Sequence, residues 1–295
     1  MIDIPPALAA AQALHEGGAG RAFVAALPAD TARFLARWGL RGAGPVRHGL
    51  TALVLPVVRE DDGAPAALKL RLLTDESAGE GPALRAWAGE AAVRLLAEGA
   101  SGRTGALLLE AADPERDLSG PRARDAVEAL AGVLARLVSV PAPPGVRGLG
   151  PLAARLLADA GQVPAGAPHA ALLRECAAAV REVADEPGDR LLHWDLHFGN
   201  VLGSLRPGGG PWLAIDPKPL AGDPGFDLFP ALRERFDPDD VVRRFDLLTG
   251  ALGLDRERAR AWTLARVLQD GLWSLQDGAA PGARSVFVGR ALLAR

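Results

Sequence analysis

One stretch, Leu191 to Pro217, restricts the possible folds of this chain more than any other. A short apolar run (LL) leads into His193-Trp194-Asp195-Leu196-His197-Phe198-Gly199-Asn200. An apolar VLG follows, then the turn SLRPGGGP, then a second apolar run, WLAI, which delivers Asp216 and is halted by Pro217. Apolar runs on either side of a Gly- and Pro-rich turn predict a β-hairpin, and proline ends a paired strand because it has no N–H to donate. The hairpin brings Asn200 and Asp216 toward the same region, with Asp195 on the loop that precedes it.

Phosphoryl transfer needs these residue types. One carboxylate orients the attacking hydroxyl and accepts its proton, a second carboxylate and an amide oxygen hold Mg²⁺ on the phosphates, and a lysine steadies the nucleotide. The same segment also contains His-x-Asp-x-His, a spacing that resembles metallohydrolase ligand clusters. Zinc requires about three protein ligands, and the other histidines, His15, His48 and His169, lie in unrelated contexts. A metal-dependent hydrolase is therefore the distant alternative, and loop-bracing hydrogen bonds are the preferred use of His193 and His197.

On either side of this hairpin the pattern divides in two. The first 40 residues read as helical, with Asp30 as the N-cap of ADTARFLARW and Phe34, Leu35 and Trp38 on one face. TALVLPVVR, the turn EDDGAP and AALKLR then predict two strands, in which Leu68 and Leu70 face one way and Lys69 the other. A short helix is read in PALRAW, ended by Gly89, and a second hairpin in AAVRLLAE, SGRTG and ALLLE. The glycines and proline of Gly79-Glu80-Gly81-Pro82 argue against a regular helix through Glu80. Residues 111–120 (AADPERDLSG) read as a polar connector. Beyond them helices dominate: Val127, Leu130, Leu134 and Leu137 form an apolar stripe, and further helices are predicted over 152–160, 169–185 and from 224 to the end. Trp262 and Trp273 are read as core residues of one amphipathic helix. The predicted architecture is α+β and bilobal, with a helical N-terminus and small β-sheet lobe over 1–110, a larger mainly helical lobe over 111–295, and a ligand cleft between them.

Composition narrows the function. Hydrophobic residues make up 49% and charged residues 23%, which suits a globular chain. A net charge of −3, with basic residues dispersed, argues against a nucleic-acid partner. No apolar run approaches the ~20 residues of a membrane span. The opening MIDIPPALAAAQALHEGG, with its early Asp3 and interrupting prolines, does not read as a signal peptide. The single cysteine, Cys176, reads as a packed helical thiol. A cytoplasmic monomer or weak dimer is expected.

HWDLHFGNVL, IDPKPLAGDPGFDL and GALLLE resemble the aminoglycoside phosphotransferase family, whose fold is similar to that of protein kinases. The nearest likeness is to its streptomycin 6-phosphotransferase and hydroxyurea phosphotransferase branch. The resemblance implies ATP and Mg²⁺ as cofactors, Asp195 as catalytic base, and Asn200 and Asp216 as magnesium ligands. It also implies Lys69 on the nucleotide α- and β-phosphates with Glu80 as its partner, although the glycines around Glu80 leave Glu76 open for that pairing. Gly49 falls in the phosphate-loop position, Glu110 to Ala112 in the adenine hinge, and Asp227 in the place of a buried acid that braces the catalytic loop. The acceptor implied is a cationic aminoglycoside, streptomycin first, with antibiotic resistance as the role; hydroxyurea or another small polar metabolite is the alternative. Asp223 and Asp270 are the candidate acids for a cationic substrate.

Overall fold

The computed structural model describes residues 2–294, which form two compact units that meet in sequence at Ala112 and Asp113. The first unit begins with helices α1 (Pro6–His15) and α2 (Gly17–Arg37). It continues with strands β1 (Leu40–Gly42), β2 (Arg47–His48), β3 (Ala52–Arg59) and β4 (Pro65–Leu72), helix α3 (Glu80–Trp87), and strands β5 (Leu95–Ser101) and β6 (Thr104–Glu110). The six strands form one antiparallel sheet in the order β1-β3-β4-β6-β5, with β2 also paired to β3. Phe23, Leu27 and Phe34 of α2 pack with Leu53, Leu55, Leu68, Leu70, Ala106 and Leu108 to form its core. That packing explains why β4 and β6 are almost wholly buried and why β3 exposes none of its residues fully.

Three details of this unit differ from the sequence reading or go beyond it. Asp30 is not an N-cap: α2 runs through it without a break, even past Pro28, and buried Asp30 accepts a 2.7 Å hydrogen bond from Ser101 Oγ. The face of β4 that carries Lys69, left open by the alternation, is buried as well, with Lys69 and Arg71 only 5% and 3% exposed. Finally, α3 does begin at Glu80. Pro82 lies in the first turn, where no intrahelical N–H bond is lost. At Gly81 a side chain would run into the Glu98 carboxylate, so this glycine provides clearance rather than a helix break.

β7 (Ala112–Asp117) starts at the last residue of the first unit and runs into the second, so much of the stretch read as a connector is a strand, an outer member of a three-stranded sheet ordered β10-β9-β7. Helices α4 (Ala123–Leu137), α5 (Leu149–Gly161) and α6 (Ala170–Val183) follow. Then come β8 (Arg190–Leu192), a 3₁₀ turn at Phe198–Asn200, β9 (Val201–Ser204), β10 (Trp212–Ala214) and β11 (Leu220–Gly222). A second 3₁₀ turn, Pro224–Asp227, precedes α7 (Phe229–Arg233), α8 (Val241–Leu252), α9 (Arg256–Gln276) and α10 (Ala283–Leu293). Helix α9 is the centre of this unit, packing on α5, α6, α10 and the Pro224–Asp227 turn. Trp262 is fully buried on it, whereas Trp273 lies just past the last buried residue, Leu272, and is 48% exposed. The reading of Trp273 as core is thus corrected. Cys176 is buried in α6, and burial pushes its thiol up to about 12, as suits an inert packing residue. Among the described residues no helix is long and apolar enough to cross a membrane.

Candidate active site

The hairpin β9–β10 pairs antiparallel, Val201 opposite Ala214, and the pattern extends one step further where Ile215 N–H donates to Asn200 O at 2.9 Å. Asn200 and Asp216 therefore leave the hairpin side by side. The loop before them is wound on the carbonyl of Asp195, which accepts from His197 N–H at 3.0 Å and from Asn200 Nδ2 at 2.9 Å. Only the NH₂ of Asn200 can make that bond, so its carbonyl oxygen is turned the other way. Asn200 is 7% exposed and the Asp195 side chain 33% exposed, so the amide is fixed and the carboxylate accessible. Trp194 and Asp216 both hold left-handed backbone angles, φ 65° and 55°. Non-glycine residues in that region cost about 1–3 kcal/mol and persist where surrounding structure enforces them.

Asp227 does the enforcing at Trp194. Its two carboxylate oxygens accept the backbone N–H groups of His193 and Trp194, each at 2.7 Å. Burial pushes the Asp227 carboxyl up to about 6, against those two hydrogen bonds and nearby Arg266, which favour the charged form. The Trp194 ring lies 5.1 Å from the Arg147 guanidinium and 5.7 Å from that of Arg266, and its Nε1–H reaches Gln269 Oε1 at 3.4 Å. Arg266 also lies against the rings of Phe226 and Phe229, and burial brings it down to about 10. His193, fully buried, bonds Ile215 O through Nε2 at 2.9 Å, and burial drives its pKa down to about 4. His197 Nδ1 accepts the Gly199 N–H at 3.1 Å. Both histidines thus tie backbone to backbone. Among the described residues no group of three or more His, Cys, Asp or Glu is placed to hold a metal ion, which leaves the hydrolase alternative unsupported.

In the first unit Lys69 Nζ meets Glu80 Oε1 at 2.6 Å, and Arg71 Nη1 lies 3.2 Å from Glu80 Oε2. Glu80, the partner that the resemblance implies, thus contacts Lys69 directly. Gly49 lies in the open loop joining β2 and β3, where nothing crowds it and neighbouring Leu50 is 69% exposed. Glu110 closes β6 with its N–H on Arg94 O at 2.9 Å and its carboxylate on Arg94 N–H at 3.0 Å. Ala112 starts β7.

The two acids read as substrate ligands each pair with an arginine. Asp223 is 7% exposed, caps the Pro224–Asp227 turn through Gly225 N–H at 2.8 Å, and accepts Arg258 Nε at 2.6 Å. Asp270 accepts Arg233 Nη1 and Ser285 Oγ, one on each oxygen and both at 2.6 Å. Conversely, Lys218 was not singled out from the sequence. Its Nζ lies 3.3 Å from Asp195 Oδ2, and its N–H donates to His193 O at 3.0 Å. The available signal was its spacing, two residues beyond Asp216 at a strand end.

Residues 37–278 match the family described as aminoglycoside/hydroxyurea antibiotic resistance kinase. The chain belongs to that family. Its relatives include a hydroxyurea phosphotransferase of Kitasatospora aureofaciens, 59% identical over 100% of this chain and 87% of that protein. A streptomycin 6-kinase of Streptomyces glaucescens is 49% identical over 95% and 93% of the two chains. In fold, this resistance-kinase chain resembles the crystal structure of aminoglycoside phosphotransferase APH(4)-Ia, with a TM-score of 0.62 at 15% identity, covering 91% of this chain and 98% of the other. The protein-kinase-like fold and phosphotransferase activity anticipated from the motifs are those of the family.

Proposed function

We propose that this kinase transfers the γ-phosphoryl group of ATP to a hydroxyl of a small drug molecule and so confers resistance to it. The observation that carries the reading is the accessible Asp195 carboxylate, fixed by its own backbone to Asn200, with Asp216 delivered beside that amide by the hairpin. Asp195 orients the acceptor hydroxyl and takes its proton as the oxygen attacks phosphorus. The outward oxygen of Asn200 and the carboxylate of Asp216 are hard donors of the kind Mg²⁺ prefers, and two protein ligands leave room for phosphates and water. Bound there, the ion would neutralise charge on the phosphate oxygens. Lys69, held by Glu80, is assigned to the nucleotide α- and β-phosphates, and the loop at Gly49 and the strand end at Glu110–Ala112 to covering and hinge contacts.

Two acceptors have support. Streptomycin is the acceptor named for relatives at 49% and 48% identity. Hydroxyurea is favoured by the relative at 59% and by the pairing of Asp223 and Asp270 with arginines, which leaves these two acids little charge for a cationic drug. A screen of ATP consumption by the full chain against streptomycin, hydroxyurea, other aminoglycosides and amino sugars separates them. Turnover on none of these acceptors would refute the proposed substrate class. Asp195→Ala serves as the control and is expected to lose on the order of 10²-fold or more in kcat on the true acceptor. Near wild-type turnover by this variant would remove Asp195 from its role.

A further inference from the structure

We infer that Lys218 is a catalytic residue, whose ammonium contacts the phosphoryl group in flight and stabilises the charge that develops on its oxygens. This rests on the phosphoryl-transfer reading of the Asp195 site and adds a group to it. Lys218 Nζ is 3.3 Å from Asp195 Oδ2, and the two side chains are 36% and 33% exposed, so the pair is open on one side. An open pair of this kind contributes little to stability. Its placement is nevertheless tightly specified, because Lys218 N–H is bonded to His193 O while Asp227 fixes the backbone at His193 and Trp194. The backbone of the lysine is therefore anchored to the start of the catalytic segment at His193, two residues past Asp216, with its side chain beside Asp195.

The chemistry then follows from distance. An acceptor hydroxyl that donates to Asp195 lies about 2.6–3.2 Å from that carboxylate, and the phosphorus it attacks is one bond further on. A lysine already touching the same carboxylate reaches the phosphoryl oxygens by rotating its flexible four-carbon stem. The step balances without Lys218 giving up a proton. The acceptor O–P bond forms, the bond from phosphorus to the bridging oxygen of ADP breaks, and that oxygen keeps the electron pair. The hydroxyl proton goes to Asp195. In the transition state charge is spread over the three equatorial oxygens, and a cation swung onto them from beside Asp195 acts on that state more than on bound ATP. Among the neighbouring groups, Arg147 and Arg266 lie against the Trp194 ring, Arg266 also against Phe226 and Phe229, and His197 Nδ1 is on Gly199 N–H.

The test uses the full chain with Lys218→Met and Lys218→Arg, each in the wild-type and Asp195→Ala backgrounds. On the acceptor that turns over, Lys218→Met is expected to lower kcat by about 10²-fold with the KM for ATP within about threefold, and Lys218→Arg to recover part of the loss. In the Asp195→Ala background a further loss of about tenfold or more is expected, because contact with phosphate survives removal of the base. No further loss there means that Lys218 acts only through Asp195, and the inference fails. Binding gives a readout independent of the acceptor. Lys218→Met should weaken the complex with Mg²⁺, ADP and aluminium fluoride, a mimic of the phosphoryl group in flight, at least tenfold, while affinity for a non-hydrolysable ATP analogue stays within about threefold. Equal affinities of variant and wild type for the mimic would overturn the proposal while leaving the kinase reading intact. A wild-type chain that binds neither nucleotide would overturn the kinase reading and this inference with it.

Discussion

At Glu80 a single carboxylate serves two buried cations, Lys69 at 2.6 Å and Arg71 at 3.2 Å, with Glu98 a further 3.9 Å from Arg71. Removing the carboxylate that both cations share strips each of this counter-charge in the interior, at a cost of about 3–5 kcal/mol. Glu80→Ala should therefore lower the urea midpoint markedly and raise the KM for ATP. An unchanged midpoint would mean that water reaches Lys69 and Arg71 in place of the carboxylate. A second expectation at this scale concerns His193, whose pKa falls from the usual 6.5 to about 4 on burial. Between those values the unfolded chain takes up a proton that the folded chain refuses. The stabilisation linked to a neutral His193 is complete above pH 6.5 and disappears as pH falls through 4. Asp227 works against it: a carboxyl raised to about 6 favours the folded state below its unfolded value of 3.8 and loses that contribution as pH rises through 6. The two slopes oppose each other between roughly pH 4 and 6. In His193→Gln only the Asp227 slope remains, so the stability gap between wild type and variant should narrow as pH drops from 6.5 to 4. Urea unfolding at several pH values measures it, and a gap independent of pH would refute the assignment. The composition of this network was partly legible, since Asp195, Asn200, Asp216 and Asp227 all lie in readable motifs. Lys218 and Arg266 were not, because a lone Lys or Arg has no periodicity and acquires meaning only from its neighbours in space.

The decisive element is the 3₁₀ turn Pro224–Asp227, which carries the brace of the proposed catalytic loop and is seated against α9. Gly225 makes the seating possible: a Cβ there would fall 2.7 Å from Ala259 Cα and 2.9 Å from its carbonyl oxygen, both backbone atoms that cannot swing aside. Its carbonyl also accepts Thr263 Oγ1 at 2.8 Å. Gly225→Ala is expected to push the turn off α9, costing about 1–3 kcal/mol as overpacking, and to lower kcat because Asp227 then pulls on His193 and Trp194 from a shifted position. Full activity in this variant would show that the loop keeps its shape without the brace. Element boundaries tell a parallel story. Alternation and helical stripes gave β3, β4, β6 and α4 nearly in place. The start of α3 was obscured because Gly81 answers to Glu98, 17 residues downstream in the numbering, rather than to helix propensity. Asp30 misled for a similar reason: its partner, Ser101, belongs to a distant strand.

At the scale of the whole molecule, each of the two units has its own core and its own share of the proposed chemistry, Lys69 with Glu80 in the first and Asp195, Asn200 and Asp216 in the second. A ligand that binds only the folded chain raises its unfolding free energy by mass action, about 2.7 kcal/mol at a hundred times its Kd. For a chain of this size that corresponds to an increase of several degrees in Tm. A non-hydrolysable ATP analogue with Mg²⁺ should produce that rise in the wild-type chain. Lys69→Met is the informative variant, because Glu80 retains Arg71 at 3.2 Å and the protein is expected to fold. It is expected to keep the sheet and to remove one cation from the proposed nucleotide site. A tenfold weaker Kd at the same nucleotide concentration removes about 1.4 kcal/mol of the stabilisation, and the rise in Tm shrinks accordingly. Asp216→Asn should instead reduce the part of the rise that depends on Mg²⁺ while sparing the part seen with nucleotide alone. An identical rise in wild type and Lys69→Met would remove Lys69 from nucleotide binding and reduce its pairing with Glu80 to a purely structural contact.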